Sequence, residues 1–570
     1  MFLHSPATMS HSFILLSLAS AIIYILISIS HRRKSFKFLQ GPPTSRWWLL
    51  GHEHELANHP ERVIAWFRSY GSVFRTVGSC GQETLMVSDA EALYHILNTG
   101  GYRYPKTMEE QKLIEQRCGR GLSWVQGELA MHQRHKKALN LVFSESQLEH
   151  FLPMFQMHAD KLALRWKEES DGHVIDIAAW SSKVVLDILG QASFNFQFGS
   201  LDAKPSRVGH FLQNISADST HLSKTTVAVR GVQRIVPRSI SRLLKTAYVP
   251  EEDVRGKLFE DATRATVGDF LRSNGLPLNM TCEKSLQESQ RQNYLKEFDG
   301  EKDMLNVLLR LIATQTPKRE LLIDDDEVLS QISTTLHAGY QFTASTLTWI
   351  LYELCRTPHD QQRLRAEIDA IRMPKAGLTL NDYEAMPYLN ACIKEVLRLH
   401  PGVDFITREA DLDDVIPLAH PILSTSGEIM KKIPVMKGQR VQIAIGAYNR
   451  SPEIWGDDSD VWNPSRHIGS AKENVTTLGV FGNLYVIPCS RFIPINVALC
   501  HRMSFGSGVR ACIGWRFAVI ELQAIIVRLL SEFEFQLASG LYPEEITCTM
   551  NAMKNEDASK MQLIVKKRVL

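Results

Sequence analysis

Near the carboxyl end of the 570-residue chain stands Phe505-Gly506-Ser507-Gly508-Val509-Arg510-Ala511-Cys512-Ile513-Gly514, followed by an apolar helical run from Trp515 to Leu530. A cysteine at the mouth of a helix meets the positive end of the helix dipole and free backbone N–H groups. Both favour the thiolate, the form that binds a metal. Glycines at 506, 508 and 514 let the backbone turn tightly and approach a flat ligand. Arg510 is placed to reach a carboxylate with a charge-assisted hydrogen bond, and Phe505 to screen the sulfur from water. The chemistry implied is an anionic sulfur donated to a metal at a shielded site. The other cysteines, Cys80, Cys118, Cys282, Cys355, Cys392, Cys489, Cys500 and Cys548, lack zinc spacing and are sparse for a disulfide scaffold. A reducing compartment and buried apolar roles fit them.

The elements that must position this loop are mainly helical. Long amphipathic stretches dominate, whereas β-rich alternation is confined to segments such as Ser72 to Val87 and Arg440 to Ile445. Glu395 and Arg398, three residues apart in one helical stretch, share a face. Basic and acidic side chains number 64 and 62, so no broad positive field points to nucleic acid. The uncharged run from Phe13 to Ile29, followed by His31, Arg32, Arg33, Lys34 and Lys37, reads as a transmembrane helix with its basic flank in the cytosol. It exceeds a signal-peptide core and lacks a small-residue cleavage site. The sequons at Asn214, Asn279 and Asn474 then face the wrong compartment and are chance matches. The expected organisation is a membrane anchor over 1–34, a proline-led hinge over 35–51 and one globular body over 52–570, with the polar stretch Thr281 to Asp303 exposed.

The cysteine loop resembles the ligand signature of the cytochrome P450 family, matching it at Phe505, Gly508, Arg510, Cys512 and Gly514. The resemblance covers roughly residues 40 to 570. It implies a mainly α fold with minor β, a helical prism enclosing haem b (iron protoporphyrin IX), behind the transmembrane helix. Cys512 becomes the iron ligand, and Arg510 and Arg408 become propionate contacts. Arg134 in the helix of Gly127 to Phe143 takes a further haem contact, although the aromatic or histidine customary four residues earlier falls on Ala130. Glu395, Arg398 and Arg466 form a buried network behind the haem. The implied activity is insertion of one oxygen atom from O2 into a lipophilic small molecule: a terpenoid, a steroid, another secondary metabolite or a xenobiotic. The chain carries no dinucleotide fingerprint of its own, so NADPH electrons are expected through a separate NADPH–cytochrome P450 reductase, with cytochrome b5 as a further candidate donor. The implied location is the endoplasmic reticulum membrane, single-pass, with a cytosolic catalytic body, in the style of fungal members acting in secondary metabolism or detoxification.

Two departures stand out. Where the family's distal helix places an acid and a threonine after an Ala-Gly pair, this chain has Ala338-Gly339-Tyr340-Gln341-Phe342-Thr343. Glutamine cannot titrate and phenylalanine cannot hydrogen-bond, so Thr343, water or a substrate hydroxyl is expected to take over proton delivery. Tyr340 and Phe342 are expected near the iron in an apolar site. The same departure admits a haem-thiolate isomerase or dehydratase, or a non-catalytic haem-binding protein. The second departure is Tyr485 to Arg502, which intervenes between Gly479-Val480-Phe481-Gly482-Asn483-Leu484 and the cysteine loop. Its deletion restores family-like spacing, which motivates the hypothesis of a retained intron. Transcript sequencing is expected to find the mature message without this block, and an abundant message encoding it defeats the idea.

Overall fold

A computed structural model describes residues 36–45, 47–126, 129–169, 171–202, 223–236, 303–313, 325–372, 377–468, 503–538 and 561–568, with a few positions between 254 and 265. The amino-terminal apolar run, nearly all of the polar stretch before Asp303 and the block 485–502 lie outside the described residues. Among the described residues no helix is long and apolar enough to cross a membrane.

The longer helices are α1 (Pro60–Tyr70), α2 (Met108–Cys118), α3 (Leu129–Val142), α4 (Glu145–Glu168), α5 (Ile177–Phe194), α6 (Lys224–Ile235), α7 (Met304–Ala313), α8 (Asp325–Arg356), α9 (Pro358–Arg372), α10 (Pro387–Leu399) and α11 (Trp515–Glu532). Local chemistry sets their limits. Asp176 caps α5 by accepting from the Ala178 and Ala179 N–H groups, and Pro387 opens α10, where its missing N–H costs no bond. His400 leaves helical geometry because Pro401 follows it.

The main core lies where α4, α5, α8 and α11 pack together, α8 against α5 and α11 against α4. Phe517 of α11 meets Phe155 of α4 edge to face, ring centroids 4.9 Å apart. A four-stranded sheet runs β1 (Val73–Val77), β2 (Glu83–Val87), β7 (Arg440–Ala444), β4 (Phe405–Glu409). Only its β2–β7 pairing is parallel. A second sheet has the order β3 (His173–Asp176), β9 (Gln562–Lys567), β8 (Phe533–Leu537), and β5 (Asp414–Leu423) pairs with β6 (Ile429–Val435). The mainly helical expectation with minor sheet is met. β4 carries Arg408 close to the charge of Arg510 at the end of the cysteine loop, while α8 packs in the core against α11.

Candidate active site

Two short turns, Met503–Phe505 and Gly508–Arg510, lead into Cys512, and Gly514 caps α11. The Cys512 N–H donates to the Phe505 carbonyl at 2.8 Å, which closes the loop. Gly508 has φ +70° and a Cβ there would sit 1.9 Å from the Leu97 carbonyl oxygen, so only glycine fits. Ser504 Oγ donates to the Leu397 carbonyl at 2.6 Å and accepts from Asn449 Nδ2 at 3.0 Å, tying the loop to α10. Cys512 is exposed, unlike the other described cysteines, which are buried. Surrounding protein nevertheless desolvates it and pushes the thiol up, against the pull of the Gly514 backbone N–H. A metal cation bound there would reverse that balance and hold the sulfur as thiolate.

Beside the loop lies a cluster of cations. Arg510 Nη1 donates to the Val125 carbonyl at 2.9 Å, while its buried Nε and Nη2 have no partner among the described residues. Arg408, 6% exposed, donates to the Thr407 carbonyl and stands 3.9 Å from Glu110. Lys106 Nζ donates to the Ser123 carbonyl, and Lys136 Nζ to the Val509 carbonyl at 3.3 Å. Burial, with repulsion from Arg510 and Arg408, pushes Lys106 down to about 7. Burial and Arg510 bring Arg408 down to about 10. His132, 3.0 Å from the Tyr102 hydroxyl, is pushed down to about 4 by burial and then by Arg510 and Lys136. Burial raises Glu110 despite these neighbours. Desolvated cations facing one reluctant carboxyl call for an anion.

Arg510 and Arg408 stand near one another beside the cysteine loop, but Arg134 does not join them. Its guanidinium pairs with Glu327 of α8, as His135 does at 3.0 Å. The helical period is the reason: His132 and Lys136, one turn apart, share the face toward Arg510, and Arg134 lies roughly 160° round the axis from both. The ring-then-base pair at spacing four is therefore His132 and Lys136, not Ala130 and Arg134, and Ala130 is exposed. Lys106, Tyr102, His132 and Lys136 were missed from the sequence, though the His132 to Lys136 spacing carried the signal.

On α8 the open strip consists of Ala338, with Thr334, Thr335, Gln341, Phe342 and Ser345 partly exposed beside it. The Phe342 ring lies against Gly402, where a Cβ would come 2.6 Å from its Cδ1. Gln341 and Phe342 thus keep the expected face. Thr343 does not. It is 4% exposed and roughly 140° round the helix from Ala338, among Leu336, Tyr340 and Leu347. The expected proton-delivering hydroxyl is turned into the core, and so is Tyr340, which is 4% exposed.

The Glu395 network forms as expected and is larger. Arg398 grips Glu395 with two bonds of 2.8 Å, and Arg466 Nε reaches Glu395 Oε1 at 3.0 Å. His467, missed from the sequence, meets Glu395 Oε2 at 2.9 Å. Arg398 also donates to the Asn449 carbonyl at 2.8 Å and to those of Ser459 and Val461, so α10 holds the segment leading toward the cysteine loop.

A thiol at a helix mouth beside buried guanidinium N–H groups that have no acceptor among the described residues suits a planar, carboxylate-bearing metal cofactor. The donor set fits haem: Cys512 for the iron, with Arg510, Arg408, Lys106 and the His132 to Lys136 face for its carboxylates. The family model described as "Cytochrome P450" matches residues 41–563. The chain is 28% identical over 562 residues to cytochrome P450 monooxygenase claU of Ampulloclitocybe clavipes, covering 95% of each chain. It is 30% identical over 533 residues to cytochrome P450 monooxygenase 205 of Postia placenta, covering 92% of this chain and 90% of that one. Ganoderic acid synthetase CYP5150L8 of Ganoderma lucidum is 26% identical over 575 residues, covering 98% and 99%. The chain belongs to the cytochrome P450 family and is an oxidoreductase of the monooxygenase kind.

Proposed function

We propose that this enzyme inserts one oxygen atom from O2 into a lipophilic small molecule, a terpenoid, steroid or similar compound, with NADPH electrons arriving from a separate reductase. Residues 1–34 anchor it in the endoplasmic reticulum membrane, 35–51 form a hinge, and the body from 52 onward works in the cytosol. The observation that carries the reading is the pair of buried Arg510 nitrogens, Nε and Nη2, without a partner among the described residues, beside the one described cysteine left open, Cys512. Bound there, haem supplies the activation of dioxygen. Cys512 would hold its iron, and the cation cluster would pair with its carboxylates. On α8 the Phe342 ring lies against Gly402, an apolar contact beside the strip. Thr334 pairs with Ser123 and the Thr335 hydroxyl donates to the Gln331 carbonyl, so Ser345 and the Gln341 amide are the polar groups of the strip proposed to hold a water or a substrate oxygen.

The test is turnover of haem-loaded protein with purified reductase, O2 and a panel of terpenoids and steroids. Oxygenated product that requires NADPH is expected. Product formed equally without NADPH identifies an isomerase or dehydratase instead, and haem-loaded protein inert across the panel defeats the monooxygenase reading.

A further inference from the structure

Two adjacent acids open α2, and they face different partners. Glu109 is held by short bonds: Arg440 of β7 donates to its Oε2 at 2.6 Å and Arg234 of α6 to its Oε1 at 2.9 Å. Arg234 pairs with Glu53 as well, so these acids and guanidinium groups answer one another. Glu110 turns instead to the cation cluster. Thr107 caps the helix by accepting from the Glu110 N–H at 3.2 Å, which fixes the turn. The Glu110 carboxyl then stands 3.9 Å from Arg408, beyond hydrogen-bonding reach. The charges acting on it are those of Arg408, Lys106, Arg510 and Arg440, in that order.

The carboxyl does not close on any of these cations. Its buried Oε2 accepts no hydrogen bond among the described residues, and the buried Nε and Nη2 of Arg510 donate none. An ion pair built for folding alone closes its hydrogen bonds, as Glu109 does. Coulomb attraction acts over several ångströms, whereas a hydrogen bond needs contact, so Glu110 offsets the charge of the cluster and leaves N–H groups open for another anion.

We propose that Glu110 is a placeholder anion, which balances the cation cluster before haem enters and yields those cations to the haem carboxylates on loading, thereby setting how tightly the cofactor is held. This rests on the haem-thiolate reading above. The effect has two signs. Ionised, Glu110 stabilises the cofactor-free protein, because without it Arg408, Arg510 and Lys106 repel one another unopposed. Once haem carboxylates sit on those cations, the same charge repels them. Burial already favours the uncharged acid, and a second carboxylate beside it favours that form further, so proton uptake relieves the repulsion.

Haem-loaded wild type, Glu110→Gln and Glu110→Asp are mixed with excess apomyoglobin, and the transfer of haem is followed by absorption. At mildly alkaline pH the glutamine variant is expected to lose haem about tenfold more slowly than wild type, the size of a screened repulsion across several ångströms. The aspartate variant, which keeps the charge, stays close to wild type. At mildly acidic pH the gap between glutamine and wild type closes as the wild-type carboxyl takes its proton. Stripped of haem, the glutamine variant is expected to unfold at a lower temperature than wild type. An acid with a structural role alone moves both readouts the same way, toward quicker haem loss and lower stability. Haem loss unchanged or quicker in Glu110→Gln, equal slowing in Glu110→Asp, a gap that persists in acid, or cofactor-free protein no less stable overturns the proposal. Should the glutamine variant fail to load, Glu110→Ala, which also removes the charge, takes its place. Wild type without the reduced carbon monoxide band of thiolate-bound haem overturns the haem-thiolate reading itself.

Discussion

Cys512→Ser is expected to abolish the reduced carbon monoxide difference band and to lower NADPH-dependent turnover by more than about a hundredfold, since losing even an outer partner of a metal ligand costs about 10–100-fold. The argument is electronic before it is structural. Serine keeps the N–H donated to the Phe505 carbonyl and nearly the same volume, so the loop that Gly508 and Leu97 hold in register is preserved. What changes is the donor atom, because an alcohol does not ionise where burial already pushes a thiol up. Haem can still enter, as the cation cluster of Arg510, Arg408 and Lys106 is untouched, but without anionic sulfur its spectrum must differ. An absorption spectrum identical to wild type removes Cys512 from the iron and ends the haem-thiolate assignment.

How much of this was legible in the sequence depends on whether a residue's role lies in its local pattern or in its direction. The cysteine loop is local in its pattern: a cysteine at a helix mouth, an arginine two positions before it and glycines around them stand within ten residues, although the distant Leu97 carbonyl is part of what demands glycine at 508. The Glu395 to Arg398 pair is local too, being three residues apart on one helix. Direction is harder. Arg134 was the more conspicuous base, yet a shift of two residues on α3 turns a side chain to the opposite face, and the structure gives the pocket to His132 and Lys136. Thr343 failed for the same reason on α8, one residue beyond Phe342 and turned into the core. Lys106 and His467 were invisible because their partners, Ser123 for one and Glu395 for the other, are brought to them only by tertiary packing.

Glu395→Gln is expected to destabilise the folded enzyme by about 3–5 kcal/mol, the range seen when one partner of a buried ion pair is removed and the other charge is left stranded. Glu395 is fully buried and accepts from Arg398, Arg466 and His467, so its loss leaves two guanidinium groups facing a neutral amide. Because Arg398 also holds the Asn449, Ser459 and Val461 carbonyls, the segment that presents the cysteine loop loosens with it. Haem loading should fall alongside the thermal unfolding temperature. The acid limb offers an independent check. Burial alone would raise the Glu395 carboxyl, yet hydrogen bonds and charge from Arg398 and His467 hold it down at about 2, against 4.5 when unfolded. A carboxylate depressed by folding stabilises fully above its unfolded pKa and loses that contribution as pH falls from about 4.5 toward 2, here on the order of 3 kcal/mol. Wild type should therefore lose stability more steeply than Glu395→Gln across that window, and the two curves should converge at its acid end. Parallel acid-unfolding curves, or an unfolding temperature unchanged by the substitution, would show that this network does not hold the fold together.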